Sequence, residues 1–273
     1  MKKAVKLLSL VLAVLMCMVA FTACGGEKKE QKSLVVGYTI YSPMNYLDAE
    51  NKLIGFDTEL AEKVFSNLGY KVIFKEIQWD NKYTDLNAGT IDCIWNGFTC
   101  NTADDDGVMR AEKVDFSYNY MENRQVIVVK NGSGVAAAAD LKGKIGTAES
   151  GSAGETYAKS FEGMVFKGVI KQTDGLMEVN AGTADFAVVD AQLAKSYCGK
   201  GDYANLTIVD ALSSDVEYYA IGFKKGSDLT KKVNEQLDKL GADGTIKALA
   251  VKYGVETTAI TDYADQKAPQ DEK

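Results

Sequence analysis

The chain has 273 residues, 46% of them hydrophobic, with 31 Lys and Arg against 38 Asp and Glu and no histidine. That length and apolar share suffice for one large domain or two modest ones with real cores, and the acidic balance argues against nucleic acid as a partner. With no imidazole to act as base, Ser/His and Cys/His nucleophilic machinery is excluded.

The first residues, MKKAVKLLSLVLAVLMCMVAFTAC, place lysines at 2, 3 and 6 ahead of an apolar run from Leu7 to Phe21 and small residues before a cysteine. This is the layout of a secretory signal peptide over residues 1–23, too short and wrongly flanked for a stable membrane span. An N-terminal membrane anchor is the alternative. The following GGEKKEQKS is polar and without apolar period, so residues 24–33 read as a flexible tether. Without residues 1–23 the chain keeps 28 basic side chains (31 less three lysines) and 38 acidic ones, a formal balance of −10. Cys93, Cys100 and Cys198 show no CxxC spacing, so no structural metal is expected. Cys93, inside IDCIW, reads as a buried free thiol.

From Ser33 onward short apolar runs alternate with amphipathic stretches. SLVVGYTI predicts a strand. In GFDTELAEKVFSNLG, Phe56, Leu60, Val64 and Leu68 fall four apart and predict a helix closed by Gly69, with Asp57 and Thr58 as polar caps at its start. KVIFKEI predicts a strand, YTDLNAGT a short helix and turn, and IDCIWNG a strand. The alternation continues through RQVIVVKNG, GKIGTAES, AGETYAKSF, DGLMEVNAGT, DFAVVD and AQLAKSYCG. VEYYAIGFKKG then predicts one strand, followed by the helices DLTKKVNEQLDKLGADG and TIKALAVKYG, while TDYADQKAPQDEK lacks an apolar stripe and is expected to fray. Such alternation predicts an α/β protein with helices on its sheet faces. No Pro- or Gly-rich linker separates the two α/β units, which suggests lobes joined by strands.

Five segments carry a family likeness: LIGFDTELAEKVFSNLGYKVIFKEIQWD, AGTIDCIWNGFT, RAEKVDFSYNYM, AGTADFAVVD and YYAIGFKKGSDLTKKVNEQLDKLGADGTIKALAVKYG. In this order they resemble the polar amino-acid-binding family of extracellular solute-binding proteins, the receptors of ABC importers, over residues 34–255. FTAC likewise resembles the bacterial lipobox, with Cys24 lipidated, although Phe21 stands where leucine is usual. The resemblance implies a two-lobed periplasmic-binding-protein-like fold. Its first lobe would be residues 34–121 with 220–258, its second 125–215, its two crossing strands near MENRQ and DVEYYA, and its ligand cleft between the lobes. Residues 259–273 would be a flexible tail. It also implies a monomer, lipid-anchored on the extracytoplasmic face of a bacterial membrane, that takes a free amino acid and hands it to a permease, with no cofactor.

A free amino acid needs donors for its α-carboxylate, an acceptor for its α-ammonium and a surface for its side chain, because both charges leave water when the cleft shuts. Arginine stands only at Arg110 and Arg124, and the planar fork suits a carboxylate. The resemblance makes Arg110 that partner, with Gly97 and Thr99 as backbone and hydroxyl contacts upstream. Here the chain departs from the family, because ten residues instead of about four separate Thr99 from Arg110. The alternative is that Arg110 sits on a surface helix and pairs with the run Asp104 to Asp106. Asp190 matches the family's ammonium acceptor, or else caps the helix that follows. Ser152 and the N–H of Ala153 match the family's carboxylate-binding turn, or else form an ordinary capped turn. Trp79 and Tyr41 match positions that present aromatic faces to the ligand. Tyr38 stands where binders of basic or amide side chains often carry aspartate, and Glu149 where an amide or lysine is common, so the two signals conflict. Together they favour a neutral polar, aromatic or sulfur-containing amino acid. The rival readings are a dehydratase-like enzyme on the same fold, with Glu149 and Asp190 as acid and base, and a sensor module for a membrane receptor.

Overall fold

The computed structural model of the protein describes residues 32–271; the leader at 1–23, Cys24 and the tether as far as Gln31 lie outside the described residues. In chain order the first part contributes β1 (Ser33–Tyr38), the short antiparallel pair β2 (Tyr46–Leu47) and β3 (Leu53–Ile54), helix α1 (Phe56–Asn67), β4 (Lys71–Glu76), α2 (Lys82–Ala88), β5 (Cys93–Ile94), α3 (Arg110–Lys113) and β6 (Asp115–Phe116). After a crossing strand β7 (Met121–Asn123) come β8 (Gln125–Lys130), β9 (Ile145–Glu149), α4 (Ala153–Lys159), β10 (Val165–Val169), α5 (Gln172–Ala181), β11 (Phe186–Asp190), α6 (Ala191–Tyr197) and β12 (Leu206–Val209). The chain returns through β13 (Glu217–Tyr219) and β14 (Gly222–Phe223) to α7 (Asp228–Ala242) and α8 (Thr245–Tyr253).

Two five-stranded sheets organise these elements into an α/β pair of lobes. The first runs β4–β1–β5–β14–β6 and the second β10–β9–β11–β8–β12. In the first, β1 lies parallel to β4 and β5, while β14 is antiparallel to β5 and β6. In the second, β9 is parallel to β10 and β11, and β8 is antiparallel to β11 and β12. The central strands are buried on both faces, as QVIVVK of β8 and FAVVD of β11 show. The return strand β14 inserts the end of the chain between β5 and β6, so the first lobe is built from two separated segments.

Helix α1 buries Phe56, Leu60, Ala61, Val64 and Phe65 against the first sheet. It ends where Gly69 turns at φ +82, a left-handed conformation that suits glycine. The expected polar caps are absent from its start: Gly55 occupies that position, and Asp57 and Thr58 are fully buried instead. Asp57 turns inward because its carboxylate has partners inside the lobe, described below. The single strand expected over VEYYAIGFKKG is two, with β13 pairing β7 between the lobes and β14 joining the first sheet. The break falls where the chain leaves the crossing and enters the lobe.

The terminal segment, expected to fray, packs down instead. Tyr263 and Ala268 are 3% and 2% exposed, the N–H of Ile260 donates to the Tyr120 carbonyl, and Gln270 both donates to and accepts from the backbone of Phe116. Isolated tyrosine and alanine anchors suffice to dock an extended segment, and such anchors leave no helical stripe in the sequence. Cys93 is a fully buried free thiol, as its apolar run predicts. Among the described residues no helix is long and apolar enough to cross a membrane.

Candidate functional site

Between the two sheets lies a small closed cavity lined by Trp79, Asn96, Gly97, Thr99, Arg110, Glu149, Ser152, Ala153, Gln172 and Asp190. Its walls are the carboxyl ends of strands: β5 runs into Asn96 and Gly97, β9 ends at Glu149, and β11 ends at Asp190. Ligands in open α/β sheets sit at such ends. The space left for the centre of a water molecule is about 10 Å³, room for roughly one water. A wider groove of about 620 Å³ runs between α7 and the terminal segment, but both of its walls belong to the first lobe and it offers no opposed buried charges. The closed cavity does.

Arg110 opens α3 and is 1% exposed. Its Nε donates to Asp104 Oδ1 at 2.7 Å, Nη1 to the Thr99 carbonyl at 3.2 Å and Nη2 to the Gly151 carbonyl at 3.3 Å, while the guanidinium carbon lies 5.3 Å from the Phe98 ring centroid. Arg110 thus pairs with Asp104 of the aspartate run, as the alternative reading expected, but from the buried cavity wall and not from a surface helix.

Asp190 stands opposite, on the second lobe, 6% exposed. It occupies the position before α6 but does not cap that helix. Three amides hold its carboxylate: Gln172 Nε2 at 2.5 Å, Gln125 Nε2 at 2.6 Å and Asn123 Nδ2 at 2.7 Å. Burial pushes its pKa up while these donors oppose the shift. Glu217, on the crossing strand β13, shares Asn123 and Gln125 and accepts from Thr99 Oγ1 at 3.0 Å. A third acid, Glu149, is 3% exposed, and no described residue donates a hydrogen bond to its carboxyl. Burial, then the nearby Asp190, pushes Glu149 up to about 8.

Ser152 lines the cavity and also caps α4, its Oγ accepting from the Glu155 N–H at 3.1 Å, so the capped-turn reading holds for its hydroxyl. The N–H of Ala153, first in the helix, has no preceding turn to satisfy it. Trp79 stands edge-on to Phe98 in the cavity wall, with Lys82 Nζ 5.2 Å from its ring centroid.

The cavity does not include Tyr38 or Tyr41. Tyr41 is 1% exposed, bridges back to Asn45 in a tight turn, and shares a hydrogen bond of 2.7 Å with the Tyr219 hydroxyl of the crossing strand β13. Its ring instead supports the cavity floor from beneath. A Cβ placed on Gly97, whose φ is +58, would come within 2.6 Å of that ring. Tyr38 packs edge-on against Phe74 beside the Glu76 and Lys171 pair.

Asn96 and Gln172, together with the amide cage of Asn123 and Gln125, escaped the sequence reading. Gln172 opens α5 immediately after β10, an exposed edge strand whose VFKGV lacks an apolar alternation. With that strand unseen, nothing placed Gln172 at a strand's carboxyl end. Asn123 and Gln125 flank the crossing near MENRQ, where only a hinge was expected. The Asn96 side chain is occupied within the first lobe, by Thr39 and Asn45.

Contacts across the boundary keep the cavity shut. Lys82 Nζ donates to the Gly151 carbonyl at 2.8 Å, Lys171 pairs with Glu76 at 2.6 Å, and Asp105 reaches Thr156 and Lys159.

Comparison with known proteins agrees with this architecture. The model of the bacterial extracellular solute-binding proteins, family 3, matches residues 34–256. The arginine-binding extracellular protein ArtP of Bacillus subtilis is 28% identical, covering 89% of this chain and 96% of its own. The L-cystine-binding protein TcyA of the same organism is 28% identical, covering 93% and 97%. Among solved structures, an ancestral arginine-binding protein bound to arginine superposes with a TM-score of 0.73 at 32% identity, covering 81% of this chain and 97% of that one. A substrate-binding protein of an ABC uptake transporter from Streptococcus pneumoniae, with bound histidine, gives 0.72 at 31%, covering 81% and 92%. A two-lobed α/β fold, a buried arginine facing a caged aspartate, and a family match over most of the chain lead to one conclusion: this chain belongs to the bacterial extracellular solute-binding proteins, family 3.

Proposed function

We infer that this chain, like the solute receptors of its family and its amino-acid-binding relatives, is a binding protein and not an enzyme. We propose that this chain is a lipid-anchored receptor, tethered through Cys24, that encloses one free amino acid between its lobes and presents the closed form to the permease of an ABC importer. The observation that carries the reading is the opposition, in one closed cavity, of Arg110 on the first lobe and the amide-caged Asp190 on the second. Arg110 keeps one N–H on each terminal nitrogen beyond its bonds to Asp104, Thr99 and Gly151. Those two donors suit an α-carboxylate, with the Thr99 and Ala153 side of the cavity completing its shell. Asp190 and the Gly97 backbone suit the α-ammonium. With room for about one water, the cavity must open for an amino acid to enter and then close less tightly around it, so binding and closure are one cycle.

The side chain would meet Trp79 and Glu149. Neutral polar, aromatic or sulfur-containing amino acids fit a tryptophan face and a carboxyl that burial holds protonated to about pH 8. One observation favours a second reading. Glu149 is buried without a partner, so a cationic side chain would supply one and ionise it.

Titration calorimetry against the common amino acids and cystine tests the proposal. One amino acid binding tightly with one-to-one stoichiometry supports it, and the absence of binding by any of them ends it. Repeating the titration in buffers of different ionisation enthalpy separates the two side-chain readings. A neutral ligand leaves Glu149 protonated at pH 7, whereas a cationic ligand releases close to one proton.

A further inference from the structure

We propose that the hairpin of residues 101–109 is a strap on the cleft, in which Asp104 is a positioning residue for Arg110 and Asp105 ties that arginine's segment to the other lobe. The proposal rests on Arg110 as the carboxylate partner.

The long spacing between Thr99 and Arg110 folds into an ordered turn. The N–H of Asp104 donates to the Val108 carbonyl at 3.0 Å, that of Gly107 to the Asp104 carbonyl at 2.8 Å, Ala103 pairs with Met109, and Gly107 turns at φ +76. Its tip therefore aims three consecutive aspartates in three fixed directions. Asp104 points inward and accepts from Arg110 Nε at 2.7 Å, Tyr83 hydroxyl at 2.7 Å and Lys113 Nζ at 2.9 Å. Burial acts to raise its pKa, but Arg110, Tyr83, Lys113 and Lys82 outweigh that and hold it at about 2. Pinning Nε fixes the plane of the guanidinium and leaves the terminal nitrogens for the cavity side. Asp106 points back, to Lys113 Nζ at 2.7 Å and the Val108 N–H at 3.0 Å.

Asp105 alone points across the boundary. It accepts from Thr156 Oγ1 at 3.3 Å and pairs with Lys159, which Glu155 holds at 2.7 Å from within α4. The same seven-residue helix begins at Ala153, directly after Ser152, so one end of α4 lines the cavity and the other is held by the hairpin. Parting the lobes breaks the Asp105 contacts, and the hairpin passes that motion to Arg110 through Asp104. The chain thus couples its carboxylate partner to closure through a segment longer than the family's usual spacing.

Asp105 and Lys159 are 43% and 42% exposed, so their pair belongs to the weak, salt-screened class. The expected effect is correspondingly modest and kinetic. For the full chain, stopped-flow release of the amino acid found by calorimetry should quicken about three- to fivefold in Asp105→Ala, with association unchanged, the equivalent of about 1 kcal/mol. Asp105→Ala and Lys159→Ala should be non-additive in a double-mutant cycle, and about 0.5 M salt should erase the difference from wild type. Asp104→Asn should weaken binding, with Asp104→Glu recovering most of it. A second readout needs no ligand. Amide hydrogen exchange in peptides covering the hairpin and α4 should accelerate together in Asp105→Ala. Wild-type release rates with additive effects, or faster exchange in the hairpin while α4 is unchanged, overturn the strap. If no amino acid binds, the receptor reading falls, and the exchange experiment still decides the strap on its own.

Discussion

Lys82 and Gly151 lie on opposite lobes, and the lysine Nζ donates to the glycine carbonyl at 2.8 Å in a position only 2% exposed. Arg110 Nη2 shares that carbonyl, so two cations of the first lobe grip one peptide of the second.

This arrangement makes closure pH-dependent. Burial, followed by the charge of Arg110, pulls Lys82 from 10.5 down to about 7. A lysine with a depressed pKa binds fewer protons closed than open, so its penalty is full below pH 7 and fades as pH rises toward 10.5. Glu149, raised to about 8, acts in the opposite sense below that pH, so the comparison must be made between variants at each pH. Ligand affinity of the wild type should gain on that of Lys82→Met between pH 7 and 9, read by calorimetry. A constant ratio across that range would contradict the assignment.

Arg110→Ala removes the one cation among the described residues that line the cavity and, on the proposed reading, leaves an α-carboxylate desolvated without its partner. The expected loss is about 3 to 5 kcal/mol, roughly a hundredfold to several thousandfold in dissociation constant. A change below about fivefold would place the carboxylate elsewhere.

Asp57 governs stability through the cavity floor. Its Oδ2 accepts the Gly97 N–H at 3.0 Å and the Tyr120 hydroxyl at 2.9 Å, while its Oδ1 has no partner. Burial raises it from 3.8 to about 7 against those two donors. A raised acid binds more protons folded than unfolded, so stability should fall as pH climbs from about 4 through 7, by up to about 1.4 kcal/mol per pH unit. Asp57→Asn should flatten that slope in urea unfolding, and an unchanged slope would assign the dependence to other groups.

The terminal segment contributes to the first lobe. Ending the chain at residue 258 exposes the sites of Tyr263 and Ala268 and removes the two Gln270 hydrogen bonds to Phe116. Burial of a large side chain is worth about 1.5 to 3 kcal/mol and each hydrogen bond about 0.5 to 1.5. Thermal unfolding should therefore drop by several degrees, whereas an unchanged midpoint would mean the segment only rests on the surface.

Much of the site was legible because chemistry and position coincide in it. Arg110 and Asp190 are the residue types an amino acid's two charges demand, and Asp190 falls at the end of an apolar run. Trp79, Thr99, Gly97, Glu149, Ser152 and Ala153 were expected from the family resemblance alone, and all six line the same cavity. Tyr41 went astray because direction, not type, decides its role: a five-residue turn rotates its ring into the lobe, toward Tyr219. Gln172 was hidden behind an edge strand with no alternation, and Asn123 and Glu217 sit on crossings whose short strands carry no periodic signal. The helix caps expected at Asp57 and Thr58 failed for a related reason. The Asp57 carboxylate serves the Gly97 N–H and the Tyr120 hydroxyl inside the lobe and not the first turn of its helix.

The two crossing strands have a consequence for unloading. Asn123 of β7 faces Glu217 of β13 in their antiparallel register, and these two side chains, with Gln125 next along the chain, form the cage around Asp190 and the anchor for Thr99. The ribbon between the lobes thus carries Asn123, which helps to hold Asp190, the acceptor proposed for the ammonium. On the proposed reading, twisting that ribbon redistributes the two shared amide donors, Asn123 and Gln125, between two carboxylates, Asp190 and Glu217, so that the hinge angle itself tunes how strongly the ammonium is held.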